Sequence, residues 1–325
     1  MSGIDRALRK KYIVDSAILF VACAFGVFAF CWFRTWIVGE LDTSQFRQIV
    51  DLLPNDWRKF ASVDFDWLVS YLGRTALTLD EPMLVMFVCI WCIVRGSDVV
   101  SGEISRGTME MLLAQPISRK RVYWTHATYT LIGLVCLVAL TWLGMSIGIW
   151  TTSVDESSYP ELVIPLVDYQ IPLTFLKPKV ETITMASRVN PSDFLPGIVN
   201  LLCLGIFLCG LSAWCSSFDR YRWRTLGILA AIYFVAAMLK VLGMASETWW
   251  WCERISFFGC YLPASSIELG TQPGVSSWSF LTYDENGKAE DIGPLFNFLI
   301  LTIVGAVFYI WGARIFHKRD LPAPV

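Results

Sequence analysis

Four sulfur-bearing residues, Met83, Met86, Cys89 and Cys92, recur at every third position within one apolar run. Soft sulfur donors suit Cu(I), so this spacing raises a soft-metal stripe as one reading. A step of three falls about 60° short of a full helical turn, so the four drift around an α-helix rather than lining one side of it. Ordinary packing in a core or against lipid is the simpler account. Asp80 and Glu81 are adjacent carboxylates at the start of the same run and would be the acid–base pair of an intramembrane enzyme, but no nucleophile stands beside them in the pattern. The two histidines, His126 and His317, lie far apart and belong to no H-E-x-x-H sequence. No G-x-x-x-x-G-K-[ST] loop occurs, so ATP is not bound here by that route and no cofactor is expected in this chain. Lys240 is an ionisable group inside an apolar run. It reads as a side chain snorkelling outward or as a contact in a bundle.

The elements that hold these residues are set by hydropathy. The chain has 325 residues, 55% of them hydrophobic and 17% charged, with mean hydropathy +0.53. Soluble domains carry about 25% charged residues. The apolar excess comes in blocks near the ~20 residues that a bilayer core requires of a helix. The expected fold is an all-α polytopic membrane protein, a single domain over 1–325 with six transmembrane helices at about 13–33, 79–97, 123–150, 194–215, 226–244 and 295–313. Asp80 is the expected N-cap of the second helix, with Pro82 in its first turn. Residues 1–12 form a basic amphipathic lead-in suited to a membrane surface. The run after it is too long for a signal-peptide core and reads as a retained anchor. A formal net charge of -2 carries no nucleic-acid footprint. Eight of the ten cysteines fall in or beside apolar runs. Cys252 and Cys260 lie in a polar segment and would pair only if it faces an oxidising compartment.

Charge orients the spans. The N-terminus, residues 95–124, the turn at 216–224 and the C-terminal tail, with the adjoining span ends, hold 15 Lys and Arg against seven acids. The three long polar segments, with their flanks, hold 11 against 21. Basic excess near span ends marks the cytoplasmic side, so both termini and the 95–124 segment are expected there, in the cytoplasmic (inner) membrane. Tryptophans cluster at span ends as interface anchors. Trp249, Trp250 and Trp251, with the aromatics after them, suit a segment that dips back into the bilayer or lies flat on it. Arg220-Tyr-Arg-Trp-Arg224 reads as a topology anchor, or as a contact for a soluble partner.

Ser101–Arg119 is a polar interruption between the second and third spans, a handle by which a soluble partner would grip the protein. Glu103, Gly107, Glu110 and Ala114 fall at i, i+4, i+7 and i+11, one face of a single helix, with Ile104, Met111 and Leu112 on another. Pro116 would end that helix and Ser118 would cap the third span. Arg119, Lys120 and Arg121 then oppose the helix dipole, so orientation or a partner must compensate for them.

The pattern Glu103-x-x-x-Gly107-Thr108-x-Glu110-x-Leu112-Leu113-x-x-Pro116-x-Ser118-Arg119 resembles the signature after the second span of ABC-2 type transporter permeases. This group includes nitrous-oxide-reductase maturation, gliding and drug-export permeases. The resemblance implies a permease subunit of an ATP-binding cassette transporter, with export as the expected direction and ATP bound by a separate cytosolic ABC ATPase. It also implies pairing with a second copy or a homologous permease, and a coupling role for Glu103, Gly107, Thr108, Glu110, Pro116 and Arg119. The three long segments between spans depart from many members, so no substrate follows. The alternatives are an intramembrane enzyme and a non-transport envelope scaffold or mechanotransmitter.

Overall fold

A computed structural model of the chain describes residues 3–41, 52, 63–158, 161–164, 169–172, 179–272, 275–283 and 289–319. Most of the polar stretch 42–62 and of the proline-bearing stretch 159–178 lies outside the described residues. Among the described residues, six stretches of helix are long and apolar enough to cross a membrane.

The first is α1 (Gly3–Glu40), 38 residues without interruption. At 1.5 Å per residue it is about 57 Å long, nearly twice the hydrocarbon thickness. The N-terminal lead-in is therefore the same helix as the first span, not a separate surface helix. Its first turns are held in line because Leu8 and Tyr12 are buried against Leu112 and Val122 in a small second core. Two short helices, α2 (Phe65–Val69) and α3 (Tyr71–Ala76), lead through a 3-10 turn at Leu77–Leu79 into α4 (Pro82–Ser97). The N-cap of α4 is Glu81, one residue later than expected, because Pro82 takes the first helical position, where its fixed φ fits and its missing N–H costs nothing.

Past Ser97 the helix widens into a π-helical turn, Asp98–Gly102, and resumes as α5 (Glu103–Ser105). A break at Arg106 and Gly107 precedes α6 (Thr108–Leu113). The third span, α7 (Arg119–Thr151), begins at the expected cap, where Ser118 Oγ accepts from the Arg121 amide at 3.3 Å. Then come α8 (Leu195–Phe218), α9 (Arg222–Ala245), α10 (Trp250–Ile255), α11 (Pro263–Thr271) and α12 (Pro294–Lys318).

Strands β1 (Ser153–Ser158), β2 (Glu161–Ile164), β3 (Tyr169–Pro172), β4 (Lys179–Thr184), β5 (Leu281–Tyr283) and β6 (Ala289–Ile292) add three antiparallel pairs, β1–β4, β2–β3 and β5–β6, between spans. They do not alter the helical class of the membrane domain.

The most enclosed span is α8, which lies between α4 and α12. Gly210 of α8 and Gly305 of α12 bring the two backbones into direct contact, leaving no room for a side chain at either position. The third span, α7, contacts α8 and rests along α1. After α9 the chain turns back on itself. Ser256 Oγ donates to the Ala236 carbonyl at 2.7 Å, nine residues before the end of α9, so the return reaches about 14 Å back along that helix. The segment after the Trp249–Trp251 cluster thus runs back along α9. Cys252 and Cys260 remain unpaired thiols.

Candidate functional site: the handle and its buried root

The handle is not one amphipathic helix. Gly107 adopts a left-handed backbone, φ 70°, between α5 and α6. That conformation is open to glycine and costly for most other residues. Glu103 therefore does not share a continuous helical face with Gly107, Glu110 and Ala114, contrary to the sequence expectation. Its carboxylate points inward instead, with the side chain only 2% exposed. Lys11 Nζ on α1 donates to both Glu103 oxygens at 2.6 Å. Thr108 Oγ1 makes a very short hydrogen bond to the same carboxylate, and Arg106 Nη2 lies 3.4 Å away.

A second carboxylate stands at the start of the π turn that precedes it. Asp98 accepts from Arg106 Nη1 at 2.9 Å and Arg95 Nη1 at 3.5 Å, and Arg222 Nε of α9 stands 3.2 Å from it as an ion pair without a hydrogen bond. Four cations thus surround two buried acids, and they tie the base of the handle to α1, α4 and α9. Burial alone would lower the Arg106 guanidinium, but Asp98 and Glu103 beside it outweigh that and hold it above its ordinary value.

The π turn explains how Asp98 and Glu103 both reach this cluster. Widening the helix by one residue rotates the residues beyond it and strands backbone groups that need other partners. Ser216 Oγ of α8 supplies them. It accepts from the amides of Val100 at 3.2 Å and Ser101 at 2.9 Å and donates to the Ser97 carbonyl at 2.8 Å. Thr225 of α9 donates to Ser101 Oγ at 3.2 Å.

Beyond this root the handle presents an exposed tip. Met109 and Leu112 of α6 are buried, Leu112 against α1 and α7. Glu110 is exposed, and Met111 is 72% exposed despite being apolar. Pro116 is exposed in the bend between α6 and α7. Arg119 serves a different contact, donating from Nη1 to the Arg319 carbonyl at 2.6 Å. Arg319 in turn donates to the carbonyls of Ser217 at 3.0 Å and Asp219 at 3.1 Å. The six residues singled out in the sequence thus divide: Glu103 and Thr108 in the root, Gly107 at the break, Glu110 and Pro116 at the tip, and Arg119 at the C-terminal lock.

Sequence reasoning does not single out Lys11, Arg95, Asp98, Arg106, Arg222 or Ser216 for this site. Arg95 and Asp98, three residues apart at the end of an apolar run, are the signal available, since ionisable groups at depth pair with one another. Arg222 reads in the sequence only as part of a basic turn.

The other candidates lie outside the handle and its root. Met83 and Met86 are exposed on α4, while Cys89 and Cys92 are buried. Among the described residues, no three His, Cys, Asp or Glu side chains are placed to hold a metal ion. Glu81 pairs with Arg34 at 3.4 Å, whereas Asp80 lines a cavity of about 650 Å³ between α4 and α9 with Tyr233 and Lys240. Lys240 does not snorkel outward; its Nζ donates to the Tyr261 carbonyl of the returning segment at 3.1 Å.

A bundle of six membrane-spanning helices, with a polar handle rooted by ion pairs between its second and third spans, defines a multi-pass membrane protein. The chain belongs to the ABC-2 family transporter proteins, whose family profile matches residues 5–321. Among curated proteins no sequence matches it. The family supplies the membrane subunit of a transporter, and that role holds for this chain.

Proposed function

We propose that this chain couples ATP hydrolysis by a separate cytosolic ABC ATPase to transport across the cytoplasmic membrane, in the export direction. The observation that carries this reading is the union of an exposed tip and a buried root in one short segment. Glu110 and Met111 offer a charged and an apolar contact to a soluble partner. A push on that tip reaches α1 through Lys11–Glu103 and α9 through Asp98–Arg222. Discrete ion pairs and packed helices, rather than flexible linkers, carry such movement. ATP would bind to the partner, and this chain would contribute no cofactor site. The handle, both termini and the basic turn would face the cytosol. A second copy or a homologous permease would complete the pore, and α1 and α9, which leave most of their apolar surface uncovered, are the helices available to meet it.

The test is co-purification with the ATPase and transport by the assembled pair. Glu110→Lys combined with Met111→Asp is expected to abolish ATPase association while leaving the unfolding temperature of the isolated chain unchanged. Retained association and transport would remove the docking assignment.

A further inference from the structure

Of the three cations that open α7, two have partners: Arg119 bonds the Arg319 carbonyl, and Arg121 makes a contact of its own. Lys120 has none among the described residues, although it sits where the positive end of a 33-residue helix opposes it. It lines one side of a groove of about 510 Å³ between the start of α7 and the end of α12. Trp124 lies one turn further along α7, and Ile310, Arg314, His317 and Lys318 form the α12 wall. On α12 the spacing i, i+4, i+7, i+8 places these four on one side of the helix. No carboxylate lines the groove, and Arg314, His317 and Lys318 form no ion pair among the described residues.

The groove is held open by fixed structure. Arg119 and Arg319 clamp its polar end. Tyr123 stacks on Phe316 with ring centroids 6.3 Å apart, and Trp124 on Tyr309 at 6.4 Å. Gly312 allows this approach, since a Cβ there would meet the Tyr123 hydroxyl. Cations at one end of the groove and Trp124 and Ile310 toward its apolar end reproduce the polarity of a lipid headgroup joined to its acyl chains.

We propose that this groove binds the phosphate of an anionic phospholipid in the leaflet next to the handle, with Lys120, Arg314 and Lys318 around the phosphate and the acyl chains along Trp124 and Ile310. The bound lipid supplies the negative charge that the start of α7 lacks. It also bridges α7 to α12 beside the Arg119–Arg319 clamp. Because the groove adjoins the handle but shares no residue with its ion-pair root, this site stands whether or not the docking assignment does.

The experiment uses the full-length protein purified in detergent and mixed with defined lipid, with retained lipid counted by native mass spectrometry. Phosphatidylglycerol is expected to be retained over phosphatidylcholine, and soluble glycerol phosphate is expected not to displace it. Each Lys or Arg near an anionic surface contributes a factor of about five, so Lys120→Gln/Arg314→Gln/Lys318→Gln should weaken retention by on the order of a hundredfold. The charge-preserving Lys120→Arg/Lys318→Arg should keep it. The control Arg6→Gln/Arg9→Gln/Lys10→Gln, which removes the same charge from α1, should also keep it. Equal retention of the two lipids by the unaltered protein would overturn the proposal without recourse to any variant. So would equal loss in the α1 control, which marks general attraction to a basic surface, or displacement by glycerol phosphate, which marks a site for soluble phosphate.

Discussion

Replacing Glu103 by glutamine removes a negative charge from a place where Lys11 approaches to 2.6 Å and Arg106 to 3.4 Å. Glu103 is buried, but the Lys11 side chain is 28% exposed and that of Arg106 39%, so water takes up part of the lost counter-charge and the cost is about 1–3 kcal/mol, that of the lost charge-assisted hydrogen bonds. Glu103→Gln should therefore lower the unfolding temperature more than any substitution at Glu110, whose carboxylate is exposed. Lys11→Met combined with Glu103→Gln should show a coupling energy of about 1–3 kcal/mol in a double-mutant cycle, since the two side chains are in direct contact. Ser216→Ala takes the acceptor from two backbone amides at once. A loss of about 1–3 kcal/mol is expected, measurable by chemical unfolding in detergent, because stranded buried donors cost their full desolvation.

At the scale of elements, three glycines separate shape from strain. Gly107 has nothing within 4 Å of where a Cβ would stand, so Gly107→Ala meets no clash. Its cost is the left-handed backbone alone, about 1–2 kcal/mol. The expected outcome is a modest fall in stability with a larger fall in ATPase association, as α6 turns away from its present direction. Gly210→Ala is the opposite case: its Cβ would meet the Gly305 carbonyl of α12, a backbone atom that cannot rotate aside. That substitution should separate α8 from α12 and leave little folded protein on size-exclusion chromatography. Gly227→Ala in α9, where the surroundings are open, should be neutral or gain up to about 1 kcal/mol from helix propensity.

For the whole molecule, the six spans are joined at the handle end by links that run through few residues. Asp98 connects the handle to both Arg222 of α9 and Arg95 of α4. If these links transmit motion, Asp98→Asn should leave the ATPase bound at the exposed tip while reducing transport-stimulated hydrolysis by about tenfold, within the usual range of coupling energies. Comparing co-purification with hydrolysis in reconstituted vesicles separates docking from coupling. Loss of docking together with coupling would place Asp98 in the stability of the handle instead.

The number of spans, their order and the segment that interrupts them were legible in the chain, because the hydrophobic length a bilayer demands and the cost of charge within it act on local composition. Ser118 as the cap of α7 and Pro82 at the head of α4 were legible for the same reason: their chemistry acts within one turn of chain. The direction in which Glu103 points came instead from the packing of the helices. Its helical spacing with Gly107 and Glu110 holds for an unbroken helix, but the left-handed turn at Gly107 ends that helix four residues after Glu103. The π turn before it then rotates the carboxylate toward Lys11, 92 residues away in sequence. Ion pairs between distant helices, the return of residues 250–260 along α9, and the groove where α7 meets α12 all depend on which helix faces meet, and no local pattern of residue types encodes that choice.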